Sequence, residues 1–322
     1  MTRVEHSSHV APVLSRKDVV NRMANEIEQV DTRGAATTAS KVGDAVSAAV
    51  SETDSLFFIG TATVLFRLGP FTVLTDPNFL HQGESVGIGY GLLRSKRLTE
   101  PAISIDQLPP LDMVVLSHHH EDHFDRVATE RLDRSVPILT TPDAAQALGA
   151  VGFRAARGLR TWQQESLVRG DWLLTVTALP GLHGPAPMTP FLPSVMGSLL
   201  ELRRVDRSES LRIYISGDTL MHDQLKEIPA RFPGIDLALV HLGGTRIFGV
   251  LLTMDGKQGV EAIRLVRPEV AVPIHYDDYD VFKSPLEDFR REAGLAGLEH
   301  RVRYVARGET IPLPPPTRKA GV

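Results

Sequence analysis

The sequence predicts an α/β chain in which two β-sheets pack face to face with helices outside each. Three observations carry that prediction. Short apolar, β-branched runs recur from Ser55 onwards, separated by turns rich in Gly and Pro. Helix-spaced segments fall between them, so that the order βββ…βα…β occurs twice. Residues 1–53 lack this grammar, which divides the chain into an N-terminal helical or partly disordered extension (1–53) and a main domain (54–322).

In the extension, Val19, Val20, Met23, Ile27 and Val30 follow helical spacing, and Gly34 breaks it. Val42, Val46 and Val50 could line a second, weak helix. The segment reads either as a partner-binding arm or as a pair of helices or a tail without its own function, and the second reading is adopted. His6 and His9 are taken as incidental.

The 322 residues suffice to bury a core, and 42% hydrophobic with 23% charged residues is an ordinary globular balance. A net charge of −4 and no long basic run argue against a specific nucleic-acid partner. No stretch has the length of a membrane span, and the N-terminus lacks a secretory apolar core, so a cytoplasmic location is expected. Cysteine is absent, which removes disulfides and thiolate ligands alike. The oligomeric state is left open.

Leu56–Ile59, Val64–Leu68 and Phe71–Leu74 read as three strands, with Gly69-Pro70 as a turn. Asp76, in Thr75-Asp76-Pro77, is placed to open a turn before Pro77. Residues 80–105 form a long connection holding Gly83, Gly87, Gly89 and Gly91, then Arg94, Lys96 and Arg97. It reads either as a mobile basic loop for an anionic substrate or as solvated surface.

Met113–Leu116 is a short buried strand, and Phe124 to Leu132 suits a helix facing a core. Between them lies Ser117-His118-His119-His120-Glu121-Asp122-His123. Four of the chain's 12 histidines fall within these few residues. On an extended segment His118 and His120 share one face, and His119 and Glu121 the other. A turn at Asp122-His123 returns a carboxylate and a third imidazole to a neighbouring point. Two adjacent sets of metal ligands result, which is a far more specific pattern than a solvated polar loop.

Val136–Thr140 and Thr161–Val168 continue the strand-and-turn alternation. The strand-like run Leu174–Leu179 leads to His183, and residues 184–197 form a Pro-rich apolar loop. That loop is either the wall of a greasy cleft or a packed edge. Ser198–Arg204 and Leu211–Ile215 read as a hairpin leading into Ser216-Gly217-Asp218. Asp236–Val240 is a buried strand ending at His241, which is read as a packed core histidine ahead of a catalytic one. Arg246 follows shortly after. Asp255 caps a helix that runs to about Val266, Pro268 stops it, and Val270–Ile274 leads into His275-Tyr276. Asp277, Asp278 and Asp280 form either an acidic rim or plain surface.

The pattern H-x-H-x-D-H, met here as His118, His120, Asp122 and His123, resembles the metallo-β-lactamase superfamily. His183, Asp218 and His275 follow in that family's order, each after a strand. The helix from Met254 and the "P-I-H" ending at His275 look like the branch of ascorbate-6-phosphate lactonases and N-acyl-phosphatidylethanolamine-hydrolysing phospholipase D enzymes. The resemblance implies a four-layer αββα sandwich and seven metal ligands. His118, His120 and His183 would hold one ion; Asp122, His123 and His275 would hold the other; and Asp218 would bridge them. Asp122 and Asp218 are then the catalytic carboxylates. Asp76, His241, Arg246 and Tyr276 would support the ligands or meet substrate.

Imidazole and carboxylate suit two Zn2+ ions, with Mn2+ or Fe2+ also admitted. Such a pair acidifies a shared water to hydroxide and polarises the electrophile. The expected function is a dinuclear hydrolase of a small-molecule or lipid-like anionic ester, foremost a phosphodiester. A lactonase or other carboxylic ester hydrolase is the alternative, and a non-catalytic metal-binding or regulatory protein is the alternative from another class.

Overall fold

The structure, a computed structural model, describes residues 53–88, 93–185, 192–207 and 209–318. The extension up to residue 52, including its proposed helices, His6 and His9, lies outside the described residues, as do Gly89, Gly91 and positions 186–191 of the Pro-rich loop.

The first sheet opens with β1 (Ser55–Gly60), β2 (Thr63–Leu68) and β3 (Phe71–Thr75), paired antiparallel. It continues in parallel through β4 (Met113–Val115), β5 (Ile138–Thr140) and β6 (Ala156–Gly158). The second sheet repeats the sequence of pairings. β7 (Gln164–Arg169), β8 (Trp172–Pro180), β9 (Met196–Arg204) and β10 (Glu209–Ile215) are antiparallel, and β11 (Leu237–His241) and β12 (Val270–Ile274) add in parallel. A late strand, β13 (Thr310–Pro312), returns to the first sheet beside β1, and the pair Thr317–Arg318 adds to β10.

Alternation along the strands assigns each side chain a layer. Met113 and Val115 of β4 join Ile213 and Ile215 of β10 in the core between the sheets. Val114 and Leu116 point the other way, onto Ala128 of α1 (Arg126–Arg131) and Leu148 of α2 (Pro142–Ala150). Tyr214, between the two inward isoleucines, faces outward with Ile228 of α3 (Glu227–Arg231), Ile263 of α4 (Gly256–Val266) and Phe289 of α5 (Leu286–Leu295). The layers therefore run helix, sheet, sheet, helix. None of the described helices is long and apolar enough to cross a membrane.

Two details differ from the sequence expectation. α1 starts at Arg126, after Phe124, because Asp125 caps it by accepting from the N–H of Ala128 at 2.7 Å. The long connection is not featureless: Ser85–Ile88 and Leu93–Lys96 pair as an antiparallel ribbon. Its Arg97 is fully buried against Asp278. α4 agrees with its expected bounds, with Asp255 accepting from the N–H of Gln258 at 3.1 Å.

Candidate metal centre

The histidines and aspartates gather where β4, β8, β10, β11 and β12 end, the rim at which open α/β sheets place their ligands. His118 and His120, two positions apart on an extended loop, bring Nε2 and Nδ1 to 3.0 Å. The His183 ring lies 5.1 Å from that of His118 and 5.3 Å from that of His120. Its Nδ1 faces the Leu252 carbonyl at 3.2 Å, which fixes that nitrogen as the donor and leaves Nε2 to the site. These three could hold an ion, with one nitrogen from each within 4.8 Å of the others.

Asp122, His123, Asp218 and His275 form a second group by the same measure. Nε2 of His123 is 3.3 Å from Asp218 Oδ2, and Nε2 of His275 is 3.5 Å from Asp122 Oδ2. Asp218 reaches this point because Gly217 takes a left-handed turn at φ 62°. A Cβ at Gly217 would stand 2.8 Å from the Met196 carbonyl. His275 itself has φ 61° and Asp76 φ 36°, left-handed conformations that non-glycine residues seldom adopt. His275 is held by its N–H bond to the Thr61 carbonyl at 2.9 Å. Strain of this kind concentrates where side chains must be aimed.

Burial and charge sort the protonation states. Burial, and then the neighbouring imidazoles, hold His118 well below the ordinary histidine value and His120 down to about 4. Burial likewise lowers His183. Burial would also lower His123 and His275, but the carboxylates of Asp218 and Asp122 outweigh it and raise both. Burial would raise Asp122 and Asp218, yet the surrounding imidazoles hold both well down. The first group thus presents neutral imidazoles, and the second pairs imidazoles with carboxylates. Nε2 of His123, Nε2 of His275 and Oδ1 of Asp218 are buried without a well-formed hydrogen bond. Buried polar atoms are normally satisfied. Orphans converging from histidine and aspartate are the donor set that a borderline divalent cation satisfies, and the residues fit such an ion.

Some predicted residues fall elsewhere. His119 turns out of both groups, as the alternation along the loop predicts, its ring 6.0 Å from that of Phe124. Arg246 leaves the cleft: it opens a tight ribbon, Arg246–Ile247 with Val250–Leu251, on which Thr245 and Ile247 face the metal groups while Arg246 points to Asp255 at 3.7 Å. Tyr276 is also directed away, because the left-handed turn at His275 sends the next side chain into the outer helical layer. Asp278 is no rim residue; it is fully buried, accepting from the N–H of Thr61 at 2.9 Å and from Arg307 Nε at 3.2 Å. Asp76 and His241 stand behind the second group. Asp76 Oδ2 is 3.3 Å from His123 Nδ1 and 3.5 Å from His241 Nε2.

The cleft above the groups has one polar wall, of His120, Asp122, His183 and Asp218. The apolar Leu192, Ile247, Leu252 and Val281 line it as well, with Gly87 and Thr245. Leu192 comes from the Pro-rich loop, in line with the cleft-wall reading of that loop, whereas sequence reading missed the other three apolar residues. The alternation that excludes Arg246 was the available signal for Ile247.

A two-sheet sandwich with paired His/Asp groups at its strand ends defines the class of metal-binding αββα proteins. A family model described as a beta-lactamase superfamily domain matches residues 72–276, and the chain belongs to that superfamily, in its metallo-β-lactamase form. An N-acyl-phosphatidylethanolamine-hydrolyzing phospholipase D 1 of Caenorhabditis elegans is 26% identical over 69% of this chain and 63% of its own length. A UPF0173 metal-dependent hydrolase of Thermus thermophilus is 28% identical over 75% of this chain and 92% of its own. Among solved structures, an isothiocyanate hydrolase from Delia radicum gut bacteria superposes with a TM-score of 0.67 at 20% identity, over 80% of this chain and 99% of that one. This last likeness is one of fold.

Proposed function

We propose that this metal-dependent hydrolase of the metallo-β-lactamase superfamily works with two divalent ions, most naturally zinc, on an ester bond. The observation that supports it is the pair of ligand groups, Asp218 belonging to the second, with orphaned buried atoms in that second group. His118, His120 and His183 would hold one ion, Asp122, His123 and His275 the other, and Asp218 would serve both. Bound there, the ions supply an acidified water and stabilise negative charge on the reacting oxygens. The chain's own part is to present neutral imidazoles, to keep Asp122 and Asp218 ionised, and to seat the substrate among the polar and apolar residues of the cleft. The machinery lies within residues 54–322, and the extension is proposed to stand outside it.

An anionic ester, foremost a phosphodiester with an apolar remainder, fits a cationic centre in a cleft also lined by Ile247, Leu252, Leu192 and Val281. The phospholipase D relative supports the same reading. A lactone or other carboxylic ester is the second reading. It is favoured by the absence of Lys and Arg among the described residues lining the cleft.

Elemental analysis of metal-replete protein should find about two ions per chain. Turnover of bis(p-nitrophenyl) phosphate should be compared with that of a p-nitrophenyl carboxylate and a lactone. Fewer than one ion per chain would end the dinuclear reading. Carboxylic ester turnover without phosphodiester turnover would decide for the second substrate class.

A further inference from the structure

We infer that His241 is a positioning residue for the metal centre, holding the Asp76 carboxylate against the ring of His123. The inference rests on the proposed reading of His123 as a metal ligand. It concerns a histidine outside the two groups above, which with Asp76 and His123 forms a third, fully buried set whose ligand atoms also lie within 4.8 Å of one another.

His241 ends β11 and is fully buried. Its ring lies nearly parallel to that of His123, with an interplanar angle of 15° at a centroid distance of 6.1 Å. Asp76 stands between them and has both oxygens engaged. Oδ1 accepts the N–H of Ser117 at 2.6 Å, which ties the carboxylate to the base of the histidine loop. Oδ2 faces His123 Nδ1 at 3.3 Å and His241 Nε2 at 3.5 Å. The latter distance is long for a hydrogen bond, yet Nε2 is buried and has no better partner among the described residues.

On its other side His241 meets Ser216. The backbone N–H of His241 donates to Ser216 Oγ at 2.9 Å, and Nδ1 is 3.2 Å from the same oxygen. A neutral imidazole has one donor and one acceptor nitrogen. The Ser216 hydroxyl also has the Gly217 carbonyl in reach at 3.0 Å; where it donates to Nδ1 instead, Nε2–H is left to donate to Asp76. The carboxylate then accepts from Ser117, His123 and His241 together. A series Ser216–His241–Asp76–His123 runs behind the centre, from the turn that carries Asp218 to the loop that carries His118, His120 and His123. It joins the ligand loops of the two sheets.

The chemistry follows from the carboxylate. A ligating imidazole is aimed, and its basicity set, by the acceptor on its other nitrogen, and loss of such an outer partner costs about 10–100-fold in metal affinity or activity. Without His241, Oδ2 of a buried carboxylate is one donor short and its hold on Nδ1 of His123 loosens.

The test uses full-length wild type, His241→Gln, His241→Leu and His123→Ala. Zinc is titrated against a chromophoric chelator, and metal content and thermal unfolding of the metal-free proteins are measured alongside. Glutamine keeps an N–H donor near the place of Nε2, whereas leucine removes it at similar bulk. H241L is expected to weaken one equivalent of zinc by about 10–100-fold. H241Q is expected to restore most of that loss, with metal-free unfolding temperatures alike. Wild-type affinity in H241L, or equal weakening in H241Q, overturns the inference. So does the loss of a third zinc equivalent in H241L, which would make His241 a ligand in its own right. H123A separates the two levels: if it keeps both equivalents, the ligand reading of His123 fails; if it loses one while H241L does not, only the role of His241 fails. Should H241L not fold, Ser216→Ala takes its place, with several-fold weakening expected and wild-type affinity overturning the inference.

Discussion

Asp218 Oδ2 lies 3.3 Å from His123 Nε2, and the two residues are carried by different sheets. His123 follows β4 of the first sheet and Asp218 follows β10 of the second. The candidate centre thus forms where the sheets meet, and the carboxylate is one of the contacts between their loops.

Asp218→Asn keeps the shape of that contact and removes its charge. Repulsion between two bound dications is then less compensated, and zinc content should fall from two ions towards one. Where activity is measurable, kcat should drop on the order of a thousandfold, a loss of roughly 4 kcal/mol in transition-state stabilisation. A variant with full zinc content and near-normal kcat would remove Asp218 from the mechanism.

His119→Ala tests the geometry of the loop. The ring packs beside Phe124, outside both ligand groups. Zinc content should be unchanged and activity within a few fold of wild type, whereas His118→Ala should lose an ion. Equal losses in the two variants would mean that the loop has another conformation.

Asp278 links acid stability to a buried ion cluster. Burial would raise its pKa, but Arg307 and Arg97 outweigh burial and lower it below the ordinary carboxylate value of 3.8. A depressed folded-state pKa contributes stability that is fully present above the unfolded value and lost as pH falls through the folded one. The contribution therefore holds at neutral pH and fades below about 3.8. Asp278→Asn leaves the buried Arg97 guanidinium uncompensated and should cost about 3–5 kcal/mol at pH 7. Urea unfolding at pH 7 and pH 3 checks both parts, since the gap between variant and wild type should narrow in acid.

Gly256→Ala should destabilise through packing alone. A Cβ there would stand 2.5 Å from the backbone nitrogen of Phe289, where α4 meets α5. Backbone cannot rotate aside, so overpacking of about 1–3 kcal/mol is expected despite alanine's better helix propensity. A melting temperature at or above that of wild type would show that the two helices can part at no cost.

The strands and the ligand loops were legible in the sequence because their signals are local. A buried run followed by His or Asp and a turn identifies a strand end without knowledge of its partners, and His118, His183, Asp218 and His275 all read that way. Arg246 and Tyr276 were misplaced for lack of backbone detail. One is turned out by alternation on a two-residue ribbon, the other by the left-handed φ of His275. Arg97 and Asp278 look like surface charges until the fold buries them against each other. Their pairing depends on residues distant in sequence, which no local pattern contains. The Pro-rich loop that carries Leu192 was one legible candidate for the cleft's apolar lining, but Ile247 and Val281 were hidden for the same reason, since they come from separate segments.

The return of β13 to β1 has a consequence for the order of synthesis. Ser55 pairs with Pro312 and Phe57 with Thr310, so the first sheet's opening strand receives its outer neighbour from almost the far end of the chain. While the ribosome is still extending the intervening residues, the outward edge of β1 stands unpaired, and a bare apolar edge invites pairing with other chains. Nascent chains are therefore most exposed to aggregation in the interval before Thr310–Pro312 emerges. A stop codon placed just ahead of Thr310 would prolong that interval indefinitely.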